Sequence, residues 1–76
     1  MDKIQIGSKV IVKFDGNGEE AYKIVDSADA DPINGKISAN SLFAQALIGK
    51  HINSKIKYRN SNNQIIKCQV VAVINS

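Results

Sequence analysis

Apolar and polar residues alternate along four stretches of this chain and cluster at helical spacing in a fifth. In Lys9–Phe14 (KVIVKF), Val10, Val12 and Phe14 fall on one side at period two, the signature of a half-buried strand. Asp15-Gly16-Asn17-Gly18 follows, a turn in which Gly and Asn take positive φ at low cost. Glu20 to Asp26 (EAYKIVD) reads as the returning strand, so these residues predict a hairpin. Lys55–Arg59 (KIKYR) places Ile56 and Tyr58 inward. After an Asn60-Ser61-Asn62-Asn63 turn, Gln64 to Ile74 is the longest predicted strand, with Ile66, Cys68, Val70, Ala72 and Ile74 on one side. These last two strands predict a second antiparallel hairpin.

Between the hairpins, Ser27 to Asn40 is a long polar connection. Pro32 disfavours the helical region at Asp31, Asn34-Gly35 marks a turn, and Lys36-Ile37-Ser38 reads as a short extended piece. Ser41 is a good N-cap, because its hydroxyl can accept from the first free backbone N–H groups of a helix. Leu42 to Ile48 then spans two helical turns, with Leu42, Phe43, Ala46 and Leu47 on one face and Gln45 opposite. Gly49 suits the left-handed position that ends a helix, and Lys50 lies where the helix dipole favours a cation. The sum is an α+β domain: an antiparallel sheet of four to five strands with one short helix packed on it. The chain of 76 residues has no repeat and no linker and reads as a single domain over residues 1–76.

Composition narrows the setting. At 43% hydrophobic residues the chain can bury a core, though at this length a small one. No run approaches the roughly 20 apolar residues of a membrane helix. MDKIQIGSK lacks the apolar region of a signal peptide. Cys68 is the single cysteine, which excludes an internal disulfide and fits a reduced compartment. A cytoplasmic protein is expected. Charge is uneven along the chain. Residues 1–31 carry seven acids and four lysines, a net −3; residues 32–76 carry five lysines, Arg59 and no acid, a net +6. Either the fold keeps the halves apart as an acidic and a basic face, or interleaved strands cancel the field.

Catalytic chemistry is thin. His51, the one histidine, sits just past the helix as a solvated surface residue, and Cys68 alternates into a strand core as a small apolar filler. Together they fall short of a zinc site. Asp26, Asp29 and Asp31 do not match a calcium loop: counting from Asp29, the positions needing an oxygen ligand, Gly and Glu hold Ile33, Asn34 and Asn40. No metal and no cofactor is expected. The cations Lys50, Lys55, Lys57, Arg59 and Lys67 could form a basic track. Phe14, Phe43 and Tyr58 fall at inward positions, so direct nucleic-acid contact is not expected.

The run from Ile24 to Lys50 carries Ile24-Val25, Ser27, Ala30-Asp31, Asn34-Gly35-Lys36-Ile37-Ser38, Asn40-Ser41, Ala44 and Ala46-Leu47-Ile48-Gly49-Lys50 in register. It resembles the C-terminal domain of the bacterial Gre transcript-cleavage factors. Gly7-Ser8-Lys9-Val10 is similar to that family's opening strand and Gln64 to Ile74 to its closing one, so the resemblance covers nearly the whole chain. It implies an FKBP-like fold. It also implies a partner: the family's globular domain docks on RNA polymerase at the rim of the secondary channel, gripping a coiled-coil of the β′ subunit. The docking residues of the family lie at a loop-to-helix junction, in an Asn/Asp-Ser-Pro motif. Asn40 and Ser41 match it, and Leu42 stands in place of Pro. Proline at a first helical position fixes φ without losing a hydrogen bond; Leu keeps the helix but gives up that rigidity and the flat ring.

The implied polymerase-binding residues are therefore Asn40, Ser41, Leu42 and Phe43, with Ile37 and Ser38 positioning the loop. Gre factors act on backtracked RNA through an N-terminal coiled-coil with an acidic tip; this sequence shows no heptads, so it is expected to bind polymerase as a monomer without stimulating cleavage and without being an enzyme. Met1 fits the start of an excised domain or of a free-standing short homologue. Two alternatives stand beside this reading. One is a basic nucleic-acid module using Lys55, Lys57 and Arg59. The other is a peptidyl-prolyl isomerase by analogy of fold, for which fold alone is no warrant.

Overall fold

Lys9–Phe14, Glu19–Val25, Lys36–Ser38, Lys55–Arg59 and Ile65–Ile74 are strands β1 to β5, and Leu42–Leu47 is helix α1. The computed structural model describes residues 3–75. The strands make one sheet in the order β3-β2-β1-β5-β4. Both hairpins form as expected: Val10 pairs with Tyr22 and Val12 with Glu20 in the first, and Ile56 pairs with Cys68 and Tyr58 with Ile66 in the second. β1 and β5 join them antiparallel down the middle. No helix among the described residues is long and apolar enough to cross a membrane.

β3 departs from the all-antiparallel expectation, because it runs parallel to β2, with Lys23, Ile24 and Val25 opposite Lys36, Ile37 and Ser38. Parallel pairing needs the chain to travel back before it pairs, usually through a long crossover. Here only three residue pairs are made, so the return is about 10 Å and a compact loop covers it. That loop is two single 3-10 turns, Ser27–Asp29 and Pro32–Asn34. Gly35 then reverses direction with φ 78°, and a Cβ there would lie 3.1 Å from the Ala21 carbonyl oxygen. The tight approach and the left-handed backbone both call for glycine.

A second difference lies in β5. Ile11 pairs with Ala72 but Val12 pairs with Val70, so Val71 is an extra residue, a β-bulge. Beyond it the alternation changes sides. Cys68 and Val70 face the core as expected, yet Val73 packs against the core while Ile74 is exposed, and Ala72 lies opposite Ile11 on the outer face.

The core lies on the inner face of the sheet, between the strands and α1. Val10, Val12, Ile24, Ala44, Leu47, Ile56, Cys68 and Val70 are buried there. Ile4 closes one end: its N–H donates to the Lys50 carbonyl at 2.9 Å and its carbonyl accepts from Gly49 N–H at 2.8 Å. Buried Ser8 ties the two ends of the chain together. Its hydroxyl accepts from Gln5 N–H (2.9 Å) and donates to Asn75 Oδ1, while Asn75 Nδ2 donates to the Lys3 carbonyl at 3.2 Å.

Candidate functional site

β3 delivers the chain to the start of α1 through a loop whose polar groups are nearly all occupied. Ala39 N–H donates to the Val25 carbonyl at 2.8 Å, which continues the β2–β3 pairing by one step. Ser41 then turns the chain. Its N–H (2.9 Å) and its hydroxyl (2.7 Å) both donate to the Ser38 carbonyl, and the same hydroxyl accepts from Ala44 N–H at 3.2 Å. This is the N-cap expected at Ser41, with one free helical N–H satisfied by a side-chain oxygen. Ser38 Oγ accepts from Asn40 N–H at 3.1 Å. Gln45 reaches back from the helix to donate to the Ala39 carbonyl at 2.6 Å. A six-residue helix has little stability of its own, so these bonds and its buried face hold it in place.

The expected site residues come together here but are not equally presented. Asn40 and Leu42 are exposed, and Leu42, at 55% exposure, projects outward from the first helical position. Helical spacing predicts it on the apolar face with Phe43, Ala46 and Leu47. Instead Ala44 and Leu47 are the fully buried helical pair, three residues apart, and Phe43 and Ala46 pack at the margin. Two turns are too short for a wheel to fix the buried stripe, and the cap geometry rotates Leu42 away from the sheet. Ser38 and Ser41 are half-buried and spend their hydroxyls on the loop itself. Ile37 packs against the core from β3 and fixes the loop from below.

Phe43 links the helix start to a feature the sequence reading missed. The other three aromatic residues of the chain gather around it. Phe43 stacks on Tyr58 with centroids 5.2 Å apart, meets Tyr22 edge-on at 5.0 Å and lies 6.0 Å from Phe14. Phe14, Tyr22 and Tyr58 line an open basin of about 500 Å3, with Asn17, Glu20 and Asn60 at its rim. The signal was available in the inward parity of these positions, but only the strand order brings β4 around to α1. Burial raises the Tyr22 and Tyr58 hydroxyls above their ordinary range, helped at Tyr22 by nearby Glu20 and at Tyr58 by Cys68. Burial, and then Asp15, also raises the Cys68 thiol, which keeps it protonated and inert, in line with its reading as an apolar filler.

His51 is not the solvated residue expected. It is half-buried, its N–H donates to Ser54 Oγ at 3.1 Å, and its Nδ1 is buried without a hydrogen-bond partner. The turn from His51 to Ser54 is pulled under β5, where Asn53 N–H donates to the Val70 carbonyl at 2.7 Å. No group of three or more His, Cys, Asp or Glu placed to hold a metal occurs among the described residues. Asp31 instead accepts from Asn34 Nδ2 at 2.6 Å and closes its own loop.

Comparison with known proteins agrees with the fold. The family model for the transcription elongation factor GreA/GreB C-terminal domain matches residues 1–75. Transcription elongation factor GreA of Macrococcus caseolyticus is 40% identical over 72 residues, covering 93% of this chain and 46% of that protein. GreA of Staphylococcus carnosus is 39% identical, with 92% and 44% covered. The chain thus spans less than half the length of these curated relatives. Among solved structures, GreA factor homolog 1 (Gfh1) of Thermus thermophilus superposes with a TM-score of 0.83 at 22% identity, over 97% of this chain and 49% of that one. A GreA/GreB elongation factor from Nitrosomonas europaea gives 0.74 at 21% identity, over 92% and 58%.

Proposed function

Since the chain belongs to the GreA/GreB C-terminal domain family, we propose that it is an RNA-polymerase docking module that binds the β′ coiled-coil at the rim of the secondary channel. The observation that carries this reading is the helix start. A rigid, hydrogen-bonded loop presents one polar group, Asn40, beside one apolar group, Leu42, at 55% exposure. An exposed leucine on a fixed backbone loses little freedom on binding and still has most of its surface to bury. Leu42 stands where the family's motif has proline, so the contact is an apolar knob rather than a flat ring. Ser41 acts indirectly, by holding the cap that aims Leu42.

Affinity should be modest. A standard footprint of about 800 Å2 per partner would take about a sixth of this domain's surface of 5045 Å2. The loop and first helical turn offer only part of such a footprint, so a Kd of roughly micromolar or weaker is expected. The docking role requires no catalytic group, and the domain acts by occupancy of a site on polymerase.

Calorimetric titration against an isolated β′ coiled-coil fragment tests the reading. The wild-type domain should saturate, and an Asn40→Ala/Leu42→Ala double variant should bind about tenfold more weakly, a loss of about 1.4 kcal/mol. Both side chains are exposed, so the variant should melt as the wild type does. Absence of saturation by wild-type protein, or an unchanged Kd in the variant, would overturn it.

A further inference from the structure

The alternation that hides the apolar side chains sends the cations to the other side of the sheet. Lys9 and Lys13 of β1, Lys23 of β2, Lys36 of β3, Lys55, Lys57 and Arg59 of β4 and Lys67 of β5 all occupy outward positions, and all are exposed. These are eight of the ten lysines and arginines in the chain. Glu19, opposite Lys13, is the one carboxylate at a strand position on that face. The other described acids lie on turns and loops, or on the inner side at Glu20.

Strand pairing concentrates this charge. Lys9 lies opposite Lys23, and Lys23 opposite Lys36, so three lysines form a row across β1, β2 and β3. On the far half of the sheet Lys57 lies opposite Lys67, flanked by Lys55 and Arg59. Like charges set directly across a ladder destabilise a sheet. Three such pairs on one face make no sense as a device for folding and good sense as a binding surface. Each cluster also edges a depression. Lys9, Lys23 and Lys36, with Asn34 and Gly35, border one of about 310 Å3; Lys55, Lys57 and Lys67, with Gln69 and Asp15, border another of about 220 Å3.

We propose that this outer sheet face is a second docking surface, separate from the helix start, and that its ligand is the phosphate backbone of duplex DNA. Charge complementarity points to a polyanion, and the rest of the face selects among polyanions. Its strand positions carry no aromatic residue, so it offers no stacking platform for a single strand. It likewise lacks the aromatic anchors and the amphipathic helix that seat a protein in a lipid interface. A duplex carries one charge per about 1.7 Å of axis, twice the density of one strand, and so satisfies a fixed array of lysines best. The spacing fits as well. Lys9 belongs to the first cluster, and Lys13, separated from Lys55 only by Gln69, borders the second; the two are four residues apart on β1, about 13 Å, comparable to the width of a major groove, about 12 Å. Contacts of this kind position a protein on DNA without reading its sequence.

Fluorescence anisotropy with a labelled mixed-sequence duplex of about 20 base pairs tests the proposal. With about five phosphates engaged, affinity should fall a few hundred-fold between about 50 and 200 mM salt. A Lys9→Gln/Lys23→Gln/Lys36→Gln variant and a Lys55→Gln/Lys57→Gln/Lys67→Gln variant should each bind at least about tenfold more weakly at low salt. Each should also lower the log–log salt slope by about 2 to 3. The corresponding Lys→Arg variants should bind as the wild type does. Melting curves monitor folding, and neither glutamine variant should melt below the wild type. Titration of the glutamine variants against the β′ coiled-coil should match the wild type, which separates this surface from the polymerase reading. The proposal is overturned by any of four results: no anisotropy change with wild-type protein at low salt, equal or tighter binding of a single strand of the same length, tighter binding of phosphatidylserine vesicles, or unchanged duplex binding in both glutamine variants.

Discussion

The inner and outer faces of this sheet are built by the same five strands, one residue out of step, and they obey opposite rules. On the inner face, neighbours across the ladder complement one another: Val10 beside Val73, Ile24 beside Ile37, Ile56 beside Cys68. On the outer face, cation meets cation at Lys9–Lys23, Lys23–Lys36 and Lys57–Lys67, against one pair of opposite charge, Lys13–Glu19. A face selected for stability alone would alternate signs. The comparison separates the two tasks of the molecule by parity, with folding assigned to one set of positions and recognition to the other. The helix start sits at the seam, where Ser41 faces inward and Leu42 outward.

Three substitutions probe that division. The largest effect is expected on the inner face. Leu47→Ala removes a fully buried side chain and should cost about 2–5 kcal/mol, a large share of the stability of so small a domain. Urea denaturation should show the midpoint falling sharply; a change below about 1 kcal/mol would mean that α1 is not part of the core. Next comes the seam. Ser41→Ala deletes the cap and should cost about 1 kcal/mol, lowering Tm by roughly 4–8 °C, and it should weaken coiled-coil binding by loosening the aim of Leu42. The smallest effect, with the opposite sign, belongs to the outer face. Lys57→Glu turns a repulsive pair with Lys67 into an attractive one and should stabilise by about 0.2–1 kcal/mol at low salt. That gain should shrink as salt screens it. If Lys57→Glu instead destabilised the protein, the lysines would have a structural role and the contrast between the faces would fail.

Much of this was legible in the sequence. Period-two alternation marked β1, β4 and β5 to within a residue, and Ser41 marked the helix start, because strict patterning and a capping hydroxyl are local signals. The rest depended on contacts between distant residues. The direction of β3 could not be read from Lys36-Ile37-Ser38, since a three-residue strand pairs either way and the compact loop before it decides. The bulge at Val71 is hidden inside Val70-Val71-Ala72-Val73, where every residue is apolar and a change of side leaves no polar mark. The outward turn of Leu42 is not legible in the sequence, because six helical residues do not define a stripe. Charge was the most instructive case. Counting it by halves of the chain leaves two outcomes open, an acidic and a basic face or a cancelled field. Strands from both halves interleave, yet the lysines of both halves share one parity and gather on one face of the sheet.

The position of β1 has a consequence for how the molecule is made. Of the five strands it is the first in chain order, yet it is fully paired only when the last is made, since its second neighbour is β5. Until β5 emerges, one side of β1 is an open ladder of unpaired amides next to an apolar strand face. Nascent chains stalled before Ile65 should therefore bind one another or a chaperone, and acquisition of protease resistance should coincide with emergence of β5 rather than growing with chain length.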